Sequence, residues 1–185
     1  MKATGIVRRI DDLGRVVIPK EIRRTMRIRE GDPLEIYTDR DGEVIFKKYS
    51  PIGELNAFAS QYAETLHRTC GLDIAIADRD AVICVSGISK KEYLDRKVSA
   101  EFEALTESRQ LYKYNDFSAN GKKIYLTDGG SHYVRCAMPI IAEGDIIGCV
   151  VSVAADDAKS VPINDDVEVK LIETAASFLG KQLES

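Results

Sequence analysis

The chain has no tryptophan, two histidines, and four cysteines that form no C-x-x-C pair. With so few histidines, neither a Ser/His/Asp nor a Cys/His arrangement is visible, and no second ligand lies at metal spacing from His67 or His132. The sequence therefore reads as that of a non-enzyme with no metal and no resident cofactor, both histidines being structural. Cys70, Cys84, Cys136 and Cys149 are widely separated, three of them in apolar, strand-like surroundings. Buried reduced thiols, and an intracellular protein, are expected. Apolar runs are short; the longest, around residues 146–155, cannot span a bilayer, and the first residues show no apolar signal region. No membrane partner is expected.

What is present is a strong charge asymmetry. The 185 residues carry a net charge of -4, but residues 1–50 hold 12 Lys/Arg against 9 Asp/Glu. Residues 51–185 hold 14 against 21. A basic head is built to meet a polyanion, and an acidic body is not. Within the head, Lys20, Arg23, Arg24 and Arg27 follow the spacing i, i+3, i+4, i+7, which on a helix gathers them into one stripe. Ile22 and Met26 fall opposite, where they can face a core.

Residues 4–10 and 15–18 are β-rich and flank the turn-like Asp11-Asp12-Leu13-Gly14. Pro19 suits the first position of a helix that ends before Gly31-Asp32-Pro33. Residues 34–38 and 44–48 flank Asp39-Arg40-Asp41-Gly42, a good hairpin connection. A module of about fifty residues buries too little surface to be stable alone, so an interleaved, obligate dimer is expected. Tyr49-Ser50-Pro51 marks a boundary between a domain at 1–50 and one at 51–185. The second reads as a helix (52–69), strands at 72–77 and 81–86, short helices at 90–94 and 100–108, and strands at 111–114, 123–126, 132–142 and 146–155. A closing helix follows from about 165 to 183. This is an α+β pattern with amphipathic helices at both ends, which can pair in a dimer.

Arg8, Arg9, Arg15, Lys20, Arg23, Arg24 and Arg27 supply cations for phosphates and planar forks for base edges. Few aromatics accompany them, which disfavours stacking on single strands. The ordered run from Thr4-Gly5-Ile6-Val7-Arg8-Arg9 through Gly14-Arg15-Val16-Val17-Ile18-Pro19-Lys20-Glu21-Ile22-Arg23-Arg24, continued by Gly31-Asp32-Pro33-Leu34-Glu35-Ile36-Tyr37, resembles the DNA-binding domain of AbrB-type transition-state regulators. The resemblance implies a swapped-hairpin β-barrel made by two chains. It also implies contact of double-stranded DNA by Arg8, Arg15, Arg23 and Arg24, with Arg9 and Lys20 secondary, on flexible duplexes read largely by shape.

That family includes antitoxins, so the second half decides the role. Residues 81–87 and Met138-Pro139-Ile140 with Gly144-Asp145-Ile146-Ile147-Gly148 resemble the strands of a GAF domain. The combined resemblance implies a sequence-specific transcription regulator, activating and repressing late sporulation genes in the bacterial cytoplasm near the nucleoid. It implies a homotetramer, a dimer of dimers. Two alternatives remain: a sensor whose small-molecule ligand tunes DNA binding, and an antitoxin-like toxin binder. Ser86, Ser89, Tyr93 and Asp128-Gly129-Gly130-Ser131 are candidate ligand-lining residues, each with an ordinary loop or cap role as its competing explanation. Asp156-Asp157 and Asp165-Asp166 flank a Ser160-Val161-Pro162 loop before the final helix, where acid already has a dipole explanation.

Overall fold

The computed structural model describes residues 5–115, 121–157 and 163–184. Thr4 and the Ser160-Val161-Pro162 loop lie outside the described residues. The chain divides into two compact units, Met1–Tyr49 and Ser50–Ser185.

In the first unit, α1 (Lys20–Met26) precedes an antiparallel pair, β1 (Leu34–Thr38) and β2 (Val44–Lys48), registered Leu34↔Lys48 through Thr38↔Val44. Their loop is closed by Asp39. Its Oδ1 accepts from the N–H of Asp41 (3.0 Å) and of Glu43 (2.9 Å), while Gly42 takes the left-handed φ of 84°. The same arrangement recurs at 11–15. Asp11 Oδ1 accepts from Leu13 N (3.1 Å) and Arg15 N (2.7 Å), Asp11 N donates to Arg15 O (3.0 Å), and Gly14 has φ 77°. The expected turn is thus built, but the strands expected on either side of it are not. Residues 5–10 and 15–18 form no ladder among the described residues. A strand is defined by partners for its N–H and C=O groups, and a lone arm has none to offer.

Two further expectations change here. Pro19 is not the first helical residue but the residue before it, with an extended ψ of 146°. Arg27 leaves the helix in a left-handed conformation (φ 52°), so the basic stripe shortens to Lys20, Arg23 and Arg24. Nor do Ile22 and Met26 find a core: Ile22 is half-buried and Met26 is 49% exposed. Among the described residues of this unit, Pro19 alone is buried. Val7 is 90% exposed and Val17 73%.

The second unit is α+β, as expected. Its elements are α2 (Pro51–Glu54), α3 (Asn56–Cys70), β3 (Asp73–Asp78), β4 (Val82–Ser86), α4 (Lys90–Tyr93), α5 (Ala100–Glu107), β5 (Tyr112–Lys113), β6 (His132–Ala142), β7 (Asp145–Ala155) and α6 (Asp165–Leu183). The antiparallel sheet runs β4-β3-β7-β6-β5. Strand alternation sends Ile74, Ile76 and Val150 to one face, under Ala59, Ala63 and Leu66 of α3 and Ile172, Ala176 and Leu179 of α6. It sends Ala75, Ala77, Val151 and Val153 to the other, against Tyr93, Phe102 and Leu105. Ser99 Oγ caps α5 by accepting from Phe102 N (3.1 Å), and Asn164 Oδ1 caps α6 by accepting from Asp166 N (2.7 Å). Gly180 lets α6 lie on the sheet: a Cβ there would stand 2.4 Å from the Ile141 carbonyl oxygen.

The β-rich pattern at 123–126 predicts a strand; among these residues only Tyr125 bridges β6, at Tyr133. The edge of β6 is shared with β5, which leaves this segment isolated bonds such as Val134 N to Ile124 O (2.7 Å). All four cysteines are free thiols, three of them buried; burial pushes Cys84 up to about 11 and Cys149 up to about 12, so both are poor nucleophiles. Among the described residues no helix is long and apolar enough to cross a membrane.

Candidate nucleic-acid interface

The seven cations singled out from the sequence all lie in the first unit, and six of them, all but Arg27, are the candidate DNA contacts. Arg8 and Arg9 are exposed on the 5–10 arm, ahead of the Asp11 turn. Arg15 follows it with its side chain 70% exposed. Lys20 and Arg24 are exposed on α1, and Arg23 is half-buried there. Helical spacing brings the last three together; the turn places Arg15 by its backbone.

Among the described residues, only Arg15 of the six has an acidic partner. Its Nε donates to Asp11 Oδ2 at 2.8 Å. The Arg15 backbone N–H and then its guanidinium hold the Asp11 carboxyl below the usual carboxylate range. An ion pair this exposed is screened by water and salt, so it orients the guanidinium without tying it up against a phosphate. Asp11 therefore has two separable tasks. In Asp11→Asn the amide oxygen still accepts the turn's N–H groups, and a moderate loss of DNA affinity is expected. In Asp11→Ala the turn itself opens, and a larger loss is expected; equal affinities of the two variants in a fluorescence-anisotropy titration would contradict this division.

Sequence reasoning misses Lys48. Its Nζ donates to Arg27 O (3.0 Å) and pairs with Asp32 at 3.7 Å, tethering β2 to the end of α1 where the helix carbonyls gather. The available signal is weak, a lysine closing an amphipathic strand.

The candidate ligand residues of the second unit meet each other more than they surround a space. Tyr93 is fully buried; its hydroxyl accepts from Ser131 N (3.0 Å) and lies 2.8 Å from His132 Nδ1. A Cβ on Gly130 would meet Thr127 Oγ1 at 2.7 Å and the Tyr93 ring at 3.2 Å. The loop is packed. Ser86 pairs within the sheet opposite Ile74, and Ser89 precedes α4, neither joining this network. His67 Nδ1 lies 3.0 Å from Leu72 O and 3.4 Å from Asp73, a structural placement. Among the described residues no three His, Cys, Asp or Glu side chains cluster as a metal site would need.

Comparison with known proteins fits this division. Residues 54–184 match the family described as stage V sporulation protein T C-terminal, transcription factor. Residues 7–53 match MazE, antidote-toxin recognition, bacterial antitoxin. The stage V sporulation protein T of Bacillus subtilis is 52% identical over 186 aligned residues, covering 100% of this chain and 99% of that protein. The transition state regulatory protein AbrB of the same organism is 65% identical over 51 residues, 28% of this chain and 52% of AbrB. Among solved structures, a methyl-accepting chemotaxis protein segment (residues 122 to 287 of that protein) superposes with a TM-score of 0.53 at 17% identity, over 70% of this chain and 88% of the segment. That likeness concerns fold alone. Identity sustained from end to end, with a family match over most of its length, shows that this chain belongs to the stage V sporulation protein T family of transcription factors.

Proposed function

We propose that the chain is a DNA-binding regulator of late sporulation genes, activating some and repressing others, and that it acts in the bacterial cytoplasm without catalysis. The observation that carries the DNA reading is the first unit itself: arginines presented on a module that buries almost none of its own apolar surface. Among the described residues the arms at 5–10 and 15–18 pair in no ladder beyond the Asp11–Arg15 turn, and Val7 and Val17 have no cover. A second copy supplies both, and the interleaved pair is the swapped-hairpin barrel that the AbrB resemblance implies. In that barrel Arg8, Arg15, Arg23 and Arg24 face the duplex, flanked by Arg9 and Lys20.

A further pairing, through the GAF-like second unit, makes a dimer of dimers. Tyr62 of α3 stacks on Phe178 of α6, with ring centroids 5.4 Å apart, and Phe58 and Phe178 keep much of their area exposed beside them. Such an aromatic stripe on two adjoining helices favours a helical interface between copies. Two DNA heads on one tetramer then gain avidity. The MazE match favours an antitoxin reading for the first unit, but the folded second unit stands where a toxin-wrapping tail would be needed.

The test exploits exposure. In a monomer, Val17→Asp at a 73% exposed site would change stability by no more than about 0.5 kcal/mol. In the interleaved barrel the same carboxylate is buried unpaired, so native mass spectrometry should show loss of the assembly and anisotropy should show loss of duplex binding. A variant that assembles and binds like the parent would refute the barrel.

A further inference from the structure

The second unit has a cleft of about 510 Å3 at the sheet edge, between β5, β6 and the start of α6. It is lined by Lys113, Tyr114, Tyr133, Arg135, Asp165 and Glu168 among others, with Lys123 Nζ lying 4.4 Å over the Tyr133 ring. Its volume is that of a small-molecule site. We propose that this cleft binds a free α-amino acid as its zwitterion.

The geometry separates a fixed pair from a mobile one. Arg135 and Glu168 are locked: Nε donates to Oε1 (3.2 Å), Nη2 to Oε2 (2.7 Å), and Ser152 Oγ donates to Oε1 at 2.5 Å. Glu168 is buried, and Ser152 beneath it is too. The fork uses the one edge made by Nε and Nη2, so Nη1 is the guanidinium corner bonded to neither Glu168 nor Asp165. At the rim, Asp165 bridges Lys113 (3.0 Å) and Arg135 Nη2 (3.4 Å). Lys113 and Asp165 are substantially exposed, with side chains 42% and 57% accessible, so their pairing is weak and exchangeable.

A ligand carboxylate takes Lys113 Nζ and the Arg135 corner, and the displaced Asp165 takes the ligand ammonium. Charge is conserved in the exchange. Tyr114 and Tyr133 stand edge to face at 5.0 Å and give the ligand side chain an aromatic wall. Other ligand classes fit less well. Two carboxylates repel a polyphosphate, and a lining rich in charge does not suit a fatty chain.

The experiment is calorimetric titration of the full chain with each proteinogenic L-amino acid, up to about 10 mM, alongside the N-acetyl and amide forms of any that bind. The expected result is saturable binding of at least one amino acid, weakened about tenfold or more when either its ammonium or its carboxylate is blocked. Lys113→Met and Asp165→Asn should weaken it similarly while keeping the parent circular dichroism, and Lys91→Gln on α4 should not. No binding in this range, blocked forms that bind equally, or rim variants that bind like the parent would each overturn the assignment. The inference is independent of the DNA reading: duplex affinity of the ligand-free chain, measured on the same samples, tests that reading separately.

Discussion

Arg15→Ala or Arg23→Ala is expected to abolish tight promoter binding while the assembly and the circular dichroism spectrum stay those of the parent. Neither side chain belongs to a hydrophobic cluster, so truncation opens no cavity. The Asp11 turn survives loss of the Arg15 guanidinium, because its bonds from Leu13 N and Arg15 N come from the backbone. Removing a bidentate arginine–base pair costs about 1–3 kcal/mol of recognition, and twofold symmetry removes it twice per DNA head. A loss of a hundredfold or more follows from the middle of that range. Salt dependence separates the two kinds of interaction. With two arginine–phosphate pairs lost per head, the slope of log affinity against log salt falls by about two units, whereas without a base pairing the affinity drops and the slope stays. Parent affinity at physiological salt would remove that arginine from the interface.

Glu168→Ala should be the most damaging single change in the second unit. It leaves the Arg135 guanidinium, only 22% exposed, without the carboxylate that occupies two of its nitrogens, and Ser152 Oγ without its acceptor. Breaking one side of a buried pair costs about 3–5 kcal/mol. For a domain of this size that is a fall of about 10 °C or more in Tm. The companion measurement is Glu168→Ala with Arg135→Met. Removing both charges eliminates the orphan, so the double variant should recover much of the loss. If Glu168→Ala shifts Tm by less than about 2 °C, the pair is not the anchor of α6 that the geometry describes.

Much of the second unit is legible in the sequence because its signals are local. The helix expected at 165–183 appears as α6 and the one expected at 52–69 as α2 and α3, broken at Leu55, since their apolar spacing faces a sheet that is present in the same chain. The β6–β7 hairpin turns on Glu143 and Gly144, both with positive φ, as a two-residue loop requires. The strand expected at 123–126 fails for a nonlocal reason, the prior claim of β5 on the β6 edge. In the first unit the patterning at 4–10 and 15–18 favours strands, yet pattern states a preference that only a partner can satisfy. Arg27 shows the complementary limit: spacing assigns it to the stripe, but the left-handed exit from α1 turns it away.

The amino-acid sequence by itself determined the charge division, the two aspartate-closed turns, the alternation of apolar residues and the cluster of arginines, because each depends on neighbours within a few residues. Tertiary structure alone decided that Arg135 locks onto Glu168 across 33 residues of chain, that Tyr93, Ser131 and His132 satisfy one another, and that the described residues of the basic unit form no core of their own. Those outcomes depend on which groups burial forces together, and burial is a property of the packed chain.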